Sequence, residues 1–119
     1  MIIDDDARNI FALAAVLRSR DVPVISALSA KQGLELLHSH KDIKAVLLDM
    51  MMPDMDGYQA MQEIKSTTEI SHIPIIAITA QAMVGDKEKI LQAGASYYVS
   101  KPVDIDILME VLNNINGEL

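Results

Sequence analysis

The sequence has no cysteine and no tryptophan, and only one phenylalanine and three tyrosines among its 119 residues. Without cysteine there are no disulfides and no thiolate metal sites, which is consistent with a reducing compartment. With 3% aromatic residues against 50% apolar overall, the core has to be built from Leu, Ile, Val, Met and Ala. Basic residues are also short: ten Lys and Arg against seventeen Asp and Glu leave a net charge of −7 and a pI near 4.7. That balance excludes a basic nucleic-acid footprint and suits protein or cation partners. No apolar run approaches the ~18 residues of a membrane span, and no basic stretch precedes a short apolar one as in a signal peptide. There is no repeat, low-complexity tract or linker. The expectation is one domain over residues 1–119, cytoplasmic, with no nucleic-acid or membrane contact of its own; any membrane anchor would belong to a parent chain.

What is present alternates between short apolar runs and helical patterns. Residues 1–3 are a strand stub ending in Asp4-Asp5-Asp6. Residues 7–20 place Ile10, Leu13, Ala14 and Leu17 at i, i+3, i+4 and i+7, the spacing of an amphipathic helix. Residues 22–27 are rich in β-branched side chains and read as a second strand. Ser29 followed by Gln32 is a capping-box pattern, with Leu34 and Leu37 on the core side of the helix it opens. Residues 45–48 form a third strand, apolar at successive positions as in a strand covered on both faces. Asp56-Gly57 opens a helix carrying Met61 and Ile64, and Pro74 precedes a fourth strand over 75–78 that ends at Thr79. A helix over 86–92 stops at Gly94, a C′ residue. Residues 97–100 form a short fifth strand, and Asp104 caps a last helix with Ile105, Leu108, Leu112 and Ile115 on one stripe.

Five strands alternating with five helices predict an α/β fold, a parallel sheet with helices on both faces and right-handed crossovers. In such sheets function gathers at the carboxyl ends of the strands. Asp4, Asp5, Asp49, Thr79 and Lys101 stand at or just past such ends and are predicted to meet. Two carboxylates about 5 Å apart repel by roughly 3 kcal/mol at an effective dielectric of about 20, so the pocket needs cations. Lys101 supplies one, and a hard divalent ion such as magnesium is the natural second. Asp49 then becomes a nucleophile placed to take a phosphoryl group, with Thr79 as a hydroxyl donor and Lys101 for a phosphoryl oxygen.

Taken singly, these residues admit plainer roles. An Asp closing a strand serves as a turn or cap residue, and Asp6 is expected to cap the first helix. Asp54 and Asp56 read as solvated loop acids, with Asp56 also capping the third helix. Thr79 alone is a strand-end hydroxyl, Lys101 alone a surface lysine, and Tyr98 a static half-buried aromatic. Met50-Met51-Met52 is expected to be partly buried gap-filling. His38 and His40 read as solvated side chains at the end of the second helix, set against a metal site.

The stretches I-I-D-D-D-A-R-N, L-L-D-M-M-M-P-D-M-D-G-Y, I-A-I-T-A and Y-Y-V-S-K-P, in this order and spacing, resemble the receiver domains of two-component response regulators. The resemblance covers nearly the whole chain and is strongest, through T-A-Q-A-M-V-G-D-K-E-K, to receivers of hybrid sensor histidine kinases. It implies a flavodoxin-like (βα)5 fold with strand order 2-1-3-4-5. It implies Asp49 as the phosphoacceptor and Mg2+ as the cofactor. The ligands would be Asp5, Asp49 and the Met51 backbone carbonyl, with Asp4 acting through water. Thr79, the Ala80 N–H and Lys101 would bind phosphoryl oxygens, and Lys101-Pro102 would be a cis bond. Thr79 and Tyr98 would form a switch acting on the face made by the fourth helix, fifth strand and fifth helix. Met51 and Gln81 would tune the phosphorylated lifetime, the apolar Met51 side chain hindering water.

The implied partners are a histidine kinase or histidine phosphotransfer domain, and a protein docking on the switched face. The domain would phosphorylate and dephosphorylate itself without being a turnover enzyme. The first strand is shorter than a receiver's usually is, and no output domain follows the last helix. A domain excised from a hybrid kinase is therefore expected, with a stand-alone regulator as the alternative. A haloacid-dehalogenase-type phosphatase could set its D-x-D on Asp4 and Asp6, but needs an acid pair well downstream of Lys101, where only Asp104 and Asp106 follow closely. It also needs room for a cap domain. A receiver-shaped scaffold that is never phosphorylated usually lacks an acid or the lysine, and here none is missing.

Overall fold

Burial on both sides of the sheet explains most of the apolar pattern. A computed structural model, describing residues 1–51, 57–80 and 84–117, has strands β1 (Ile2–Ile3), β2 (Ser26–Ala27), β3 (Val46–Asp49), β4 (Ile75–Thr79) and β5 (Tyr97–Ser100). All are parallel in one sheet of order β2-β1-β3-β4-β5. Between and after them run α1 (Ala7–Ser19), α2 (Ala30–Ser39), α3 (Gly57–Ser66), α4 (Val84–Gln92) and α5 (Ile105–Gly117). Ile2, Leu47 and Ile76 pack on one side with Leu17 of α1 and Leu108 of α5. Ile3, Leu48 and Ala77 pack on the other with Leu37 of α2, Ile64 of α3 and Ile90 of α4. Every residue of β3 and β4 is buried, so neither strand needs a polar face.

Helix ends follow the sequence closely. Asp6 is the N-cap of α1 and its side chain accepts from the Arg8 N–H. Ser29 Oγ accepts from Gln32 N at 3.1 Å, while Gln32 Oε1 accepts from Leu28 N at 2.9 Å, so the box closes one residue upstream of the usual position. Asp104 Oδ1 accepts from the N–H groups of Asp106 and Ile107 at 2.9 and 3.3 Å. Gly94 follows α4 at φ +126, a conformation that favours glycine.

Several boundaries differ from expectation, the first helix by one residue, ending at Ser19 with Arg20 as its C-cap. The second strand, predicted over 22–27, is confined to Ser26–Ala27. Upstream the backbone is engaged elsewhere: Val22 N donates to Leu17 O at 3.0 Å, Pro23 has no N–H, and Val24 O accepts from Arg18 Nη2 at 3.3 Å. The first strand omits Met1, although Leu47 N donates to the Met1 carbonyl at 2.7 Å. The third runs over Val46–Asp49, taking in the acid itself. Helix α4 begins at Val84, two residues before the predicted 86. Asp54 and Asp56, with the predicted cap of α3, lie outside the described residues.

Candidate functional site

The last carbonyls of β4 set the height of two flanking segments. Ile78 O accepts from Met50 N at 3.0 Å and Thr79 O accepts from Lys101 N at 2.8 Å. On the other side of β3, β1 delivers Asp4, whose N–H donates to Ala27 O at 3.1 Å. Three buried polar or charged residues occur among those described, and all three are here: Asp4, Asp49 and Thr79, exposed by 7%, 4% and 2%. Burial of this kind is costly unless each group is partnered.

The partners are on hand. Asp49 Oδ1 accepts from Met51 N at 3.1 Å and from Lys101 Nζ at 3.3 Å. Asp4 Oδ1 accepts from Asp6 N at 2.9 Å. Asp5 stays exposed at the rim. One carboxylate oxygen each from Asp4, Asp5 and Asp49 lie within 4.8 Å of one another. Burial, and next to it the charge of Asp49, push the Asp4 carboxyl above its ordinary value, while the Asp6 N–H and Lys101 oppose the rise. Three acids thus face one ammonium. Their all-oxygen donor set and surplus negative charge fit a hard divalent cation such as magnesium.

Of the residues predicted to meet, Asp4, Asp5, Asp49 and Lys101 do so through side chains, and Thr79 stands at the same end of β4 with Lys101 on its carbonyl. Ala80 follows, exposed. Tyr98 is half-buried on β5, in register with Ala77. Lys101-Pro102 is cis, as expected. Gln81 lies outside the described residues. Asp6 belongs to α1: Arg8 Nη2 contacts it at 3.1 Å and holds its carboxyl below the usual range. The methionine run splits, Met50 being 4% exposed and Met51 59%. Met50 packs against Gly57, where a Cβ would come 2.6 Å from the Met50 Cα.

His38 lies 3.5 Å from Glu69, and His40 Nδ1 lies 3.2 Å from Leu36 O. Among the described residues the one group able to hold a metal is Asp4, Asp5 and Asp49. Asp104 is occupied as the cap of α5, and Asp106 pairs with Arg20 at 3.8 Å. Neither extends the acidic site as a phosphatase would require.

Sequence reasoning passed over Phe11. The only phenylalanine of the chain, it is 78% exposed on α1, one turn beyond the acidic loop. Its signal was its phase, off the stripe of Ile10, Ala14 and Leu17. A cleft of about 560 Å³, bordered by Met1, Val24, Ile43 and Met109, lies at the opposite end of the sheet and includes none of the site residues.

The model of the response regulator receiver domain family matches residues 1–113. Hybrid signal transduction histidine kinase I of Dictyostelium discoideum is 36% identical over 119 aligned residues, covering 95% of this chain and 7% of that protein. The polar-differentiation response regulator DivK of Brucella ovis is 30% identical over 118 residues, covering 99% of this chain and 95% of that one. The receiver domain of a sensor histidine kinase from Pseudomonas aeruginosa, with a magnesium ion coordinated in its active-site cleft, superposes with a TM-score of 0.87. It is 33% identical and covers 98% of this chain and 94% of its own. A Francisella receiver domain shares the fold at a TM-score of 0.90 and 22% identity, over 98% and 94% of the two chains.

Proposed function

Because the chain belongs to the response regulator receiver domain family of two-component signalling, we propose that it accepts a phosphoryl group on Asp49 from the phosphohistidine of a histidine kinase or phosphotransfer domain. A carboxylate oxygen of Asp49 attacks phosphorus, the P–N bond breaks, and its electron pair returns to the imidazole nitrogen, which takes a proton from solvent. Loss of the group follows when water attacks phosphorus and the P–O bond to Asp49 breaks, releasing inorganic phosphate. The observation that carries this reading is the buried Asp49 carboxylate, with Lys101 Nζ at 3.3 Å and the Asp4 and Asp5 carboxylates beside it.

Each neighbour takes a role in that chemistry. Lys101 follows the negative charge from the carboxylate to a phosphoryl oxygen, and Thr79 and the Ala80 N–H hold the other oxygens at the end of β4. Asp5, Asp49 and the Met51 carbonyl hold magnesium, with Asp4 acting through water; the ion supplies the positive charge that lets phosphoryl oxygens approach three acids. The donor set of this chain supports that assignment, as does the magnesium of the Pseudomonas receiver. Thr79 moves toward the phosphoryl group and Tyr98 into the space it leaves, which changes the α4–β5–α5 face offered to a protein partner. Exposed Phe11 on α1 offers the donor domain an apolar anchor. The domain spans residues 1–119 and works in the cytoplasm, as part of a hybrid kinase.

The test is intact mass after incubation with acetyl phosphate, with and without magnesium, beside Asp49→Ala. A gain of one phosphoryl group that needs magnesium and Asp49 is expected. No gain by folded protein would leave a receiver-shaped scaffold.

A further inference from the structure

Arg8 stands where helix stability does not call for it. It is the second residue of α1, and a cation in the first turn of a helix meets the positive end of the macrodipole. Its side chain is exposed, so an ion pair made there adds little to the fold. Yet the pair is well formed. Asp6 Oδ1 accepts from Arg8 Nε at 3.2 Å and Asp6 Oδ2 accepts from Arg8 Nη2 at 3.1 Å. A contact through both carboxylate oxygens fixes the plane and place of the guanidinium, which a single bond would leave free to swing.

The same Asp6 is tied to the acidic site. Its N–H donates to Asp4 Oδ1 at 2.9 Å, and Asp5, between the two, is exposed at the rim. Arg8 is therefore joined through Asp6 to the buried Asp4 carboxyl. The charges point the same way. With Asp6 included, the carboxylates of Asp4, Asp5, Asp6 and Asp49 stand against the two cations Lys101 and Arg8. A divalent ion brings that set to neutrality. Without Arg8 the set stays negative and repels an approaching phosphoryl dianion.

We propose that Arg8 is a further cation of the acceptor site, held by Asp6 beside the acids so that it draws in the dianionic phosphoryl group of the donor. The inference rests on the phosphoacceptor reading and adds a charge that neither Lys101 nor magnesium supplies. A unit charge about 8 Å from a dianion in water favours its approach by about 2- to 5-fold at low ionic strength. At about 1 M salt the screening length falls to about 3 Å and the effect is lost.

The experiment is the rate of phosphoryl gain from acetyl phosphate with magnesium, followed by intact mass at low ionic strength and at about 1 M salt. At low ionic strength Arg8→Gln is expected to load about 2- to 5-fold more slowly than the wild type, and Arg8→Glu more slowly still. Arg8→Lys keeps the charge and is expected to stay within about twofold of the wild type. At high salt all three are expected to converge on the wild type. Loss of the phosphoryl group, in which neutral water attacks, is expected to be unchanged in Arg8→Gln, which damage to the site would not predict. Lys44→Gln removes the same charge at the opposite end of the sheet and is expected to load like the wild type. Equal loading by Arg8→Gln, a deficit that persists at high salt, or an equal deficit in Lys44→Gln overturns the role of Arg8. A wild type that gains no phosphoryl group overturns the phosphoacceptor reading, and this proposal with it.

Discussion

Asp49 is a carboxylate that tolerates 4% exposure because Lys101 Nζ and the Met51 N–H reach it directly. Asp4 has no such cation on it, and burial together with Asp49 raises its carboxyl above the ordinary value. With the folded value above the unfolded one, the folded chain binds more protons between the two, so stability rises as pH falls through the raised value and is fully gained at the unfolded one. In metal-free buffer the wild type is therefore expected to gain urea midpoint relative to Asp4→Asn as pH is lowered from neutrality toward about 4; a flat difference would show that Asp4 titrates normally. Met51 belongs to the same scale. Its side chain is exposed two residues from Asp49, and the proposal is that this apolar group hinders the water that attacks the phosphoryl group. An amide there can hold that water through a bond of about 1 kcal/mol, so Met51→Asn is expected to shorten the phosphorylated lifetime roughly fivefold, read as loss of the phosphoryl mass with time. An unchanged lifetime would remove Met51 from that role.

At the scale of elements, the caps were legible because capping is local. Asp6, Ser29 and Asp104 each bond an N–H two or three residues on. The reason for glycine at the start of α3 was not legible, since it depends on how closely α3 approaches the end of β3. A methyl at Gly57 would come 2.6 Å from the Met50 Cα, a backbone atom that cannot turn aside. Gly57→Ala is expected to destabilise the fold by about 1–3 kcal/mol, measured by urea unfolding. Gly33→Ala on α2 is the comparison. Its methyl would meet only side-chain atoms, Ile3 Cδ1 and Cγ1 and then Ala27 Cβ, and the gain in helix propensity offsets part of the strain. A Gly57→Ala variant as stable as the wild type would show that the end of β3 yields easily. The second strand was overread for a related reason: β-branched composition over 22–27 does not reveal that the N–H of Val22 and the carbonyl of Val24 are taken by α1.

For the whole molecule, the surplus of acids over Lys101 in one cleft predicts that ion binding is linked to folding. Magnesium that binds the folded state alone is expected to add about 2.7 kcal/mol at 100 times its dissociation constant, seen as a raised urea midpoint, and Asp5→Asn is expected to diminish the gain. No shift in the wild type would remove the ion from the site. The sequence by itself determined the alternation of strands and helices, the continuous burial of β3 and β4, and which residues stand at strand ends. Those signals repeat within two to four positions along the chain. Strand order was readable only through the family resemblance, since periodicity says nothing about neighbours in a sheet. Tertiary structure alone decided that Asp4 is buried and Asp5 exposed, that Lys101 reaches Asp49 across 52 residues, and that Lys89 sits over Tyr58. Burial and charge pairing depend on which distant segments the packed sheet brings together, and no local pattern carries that information.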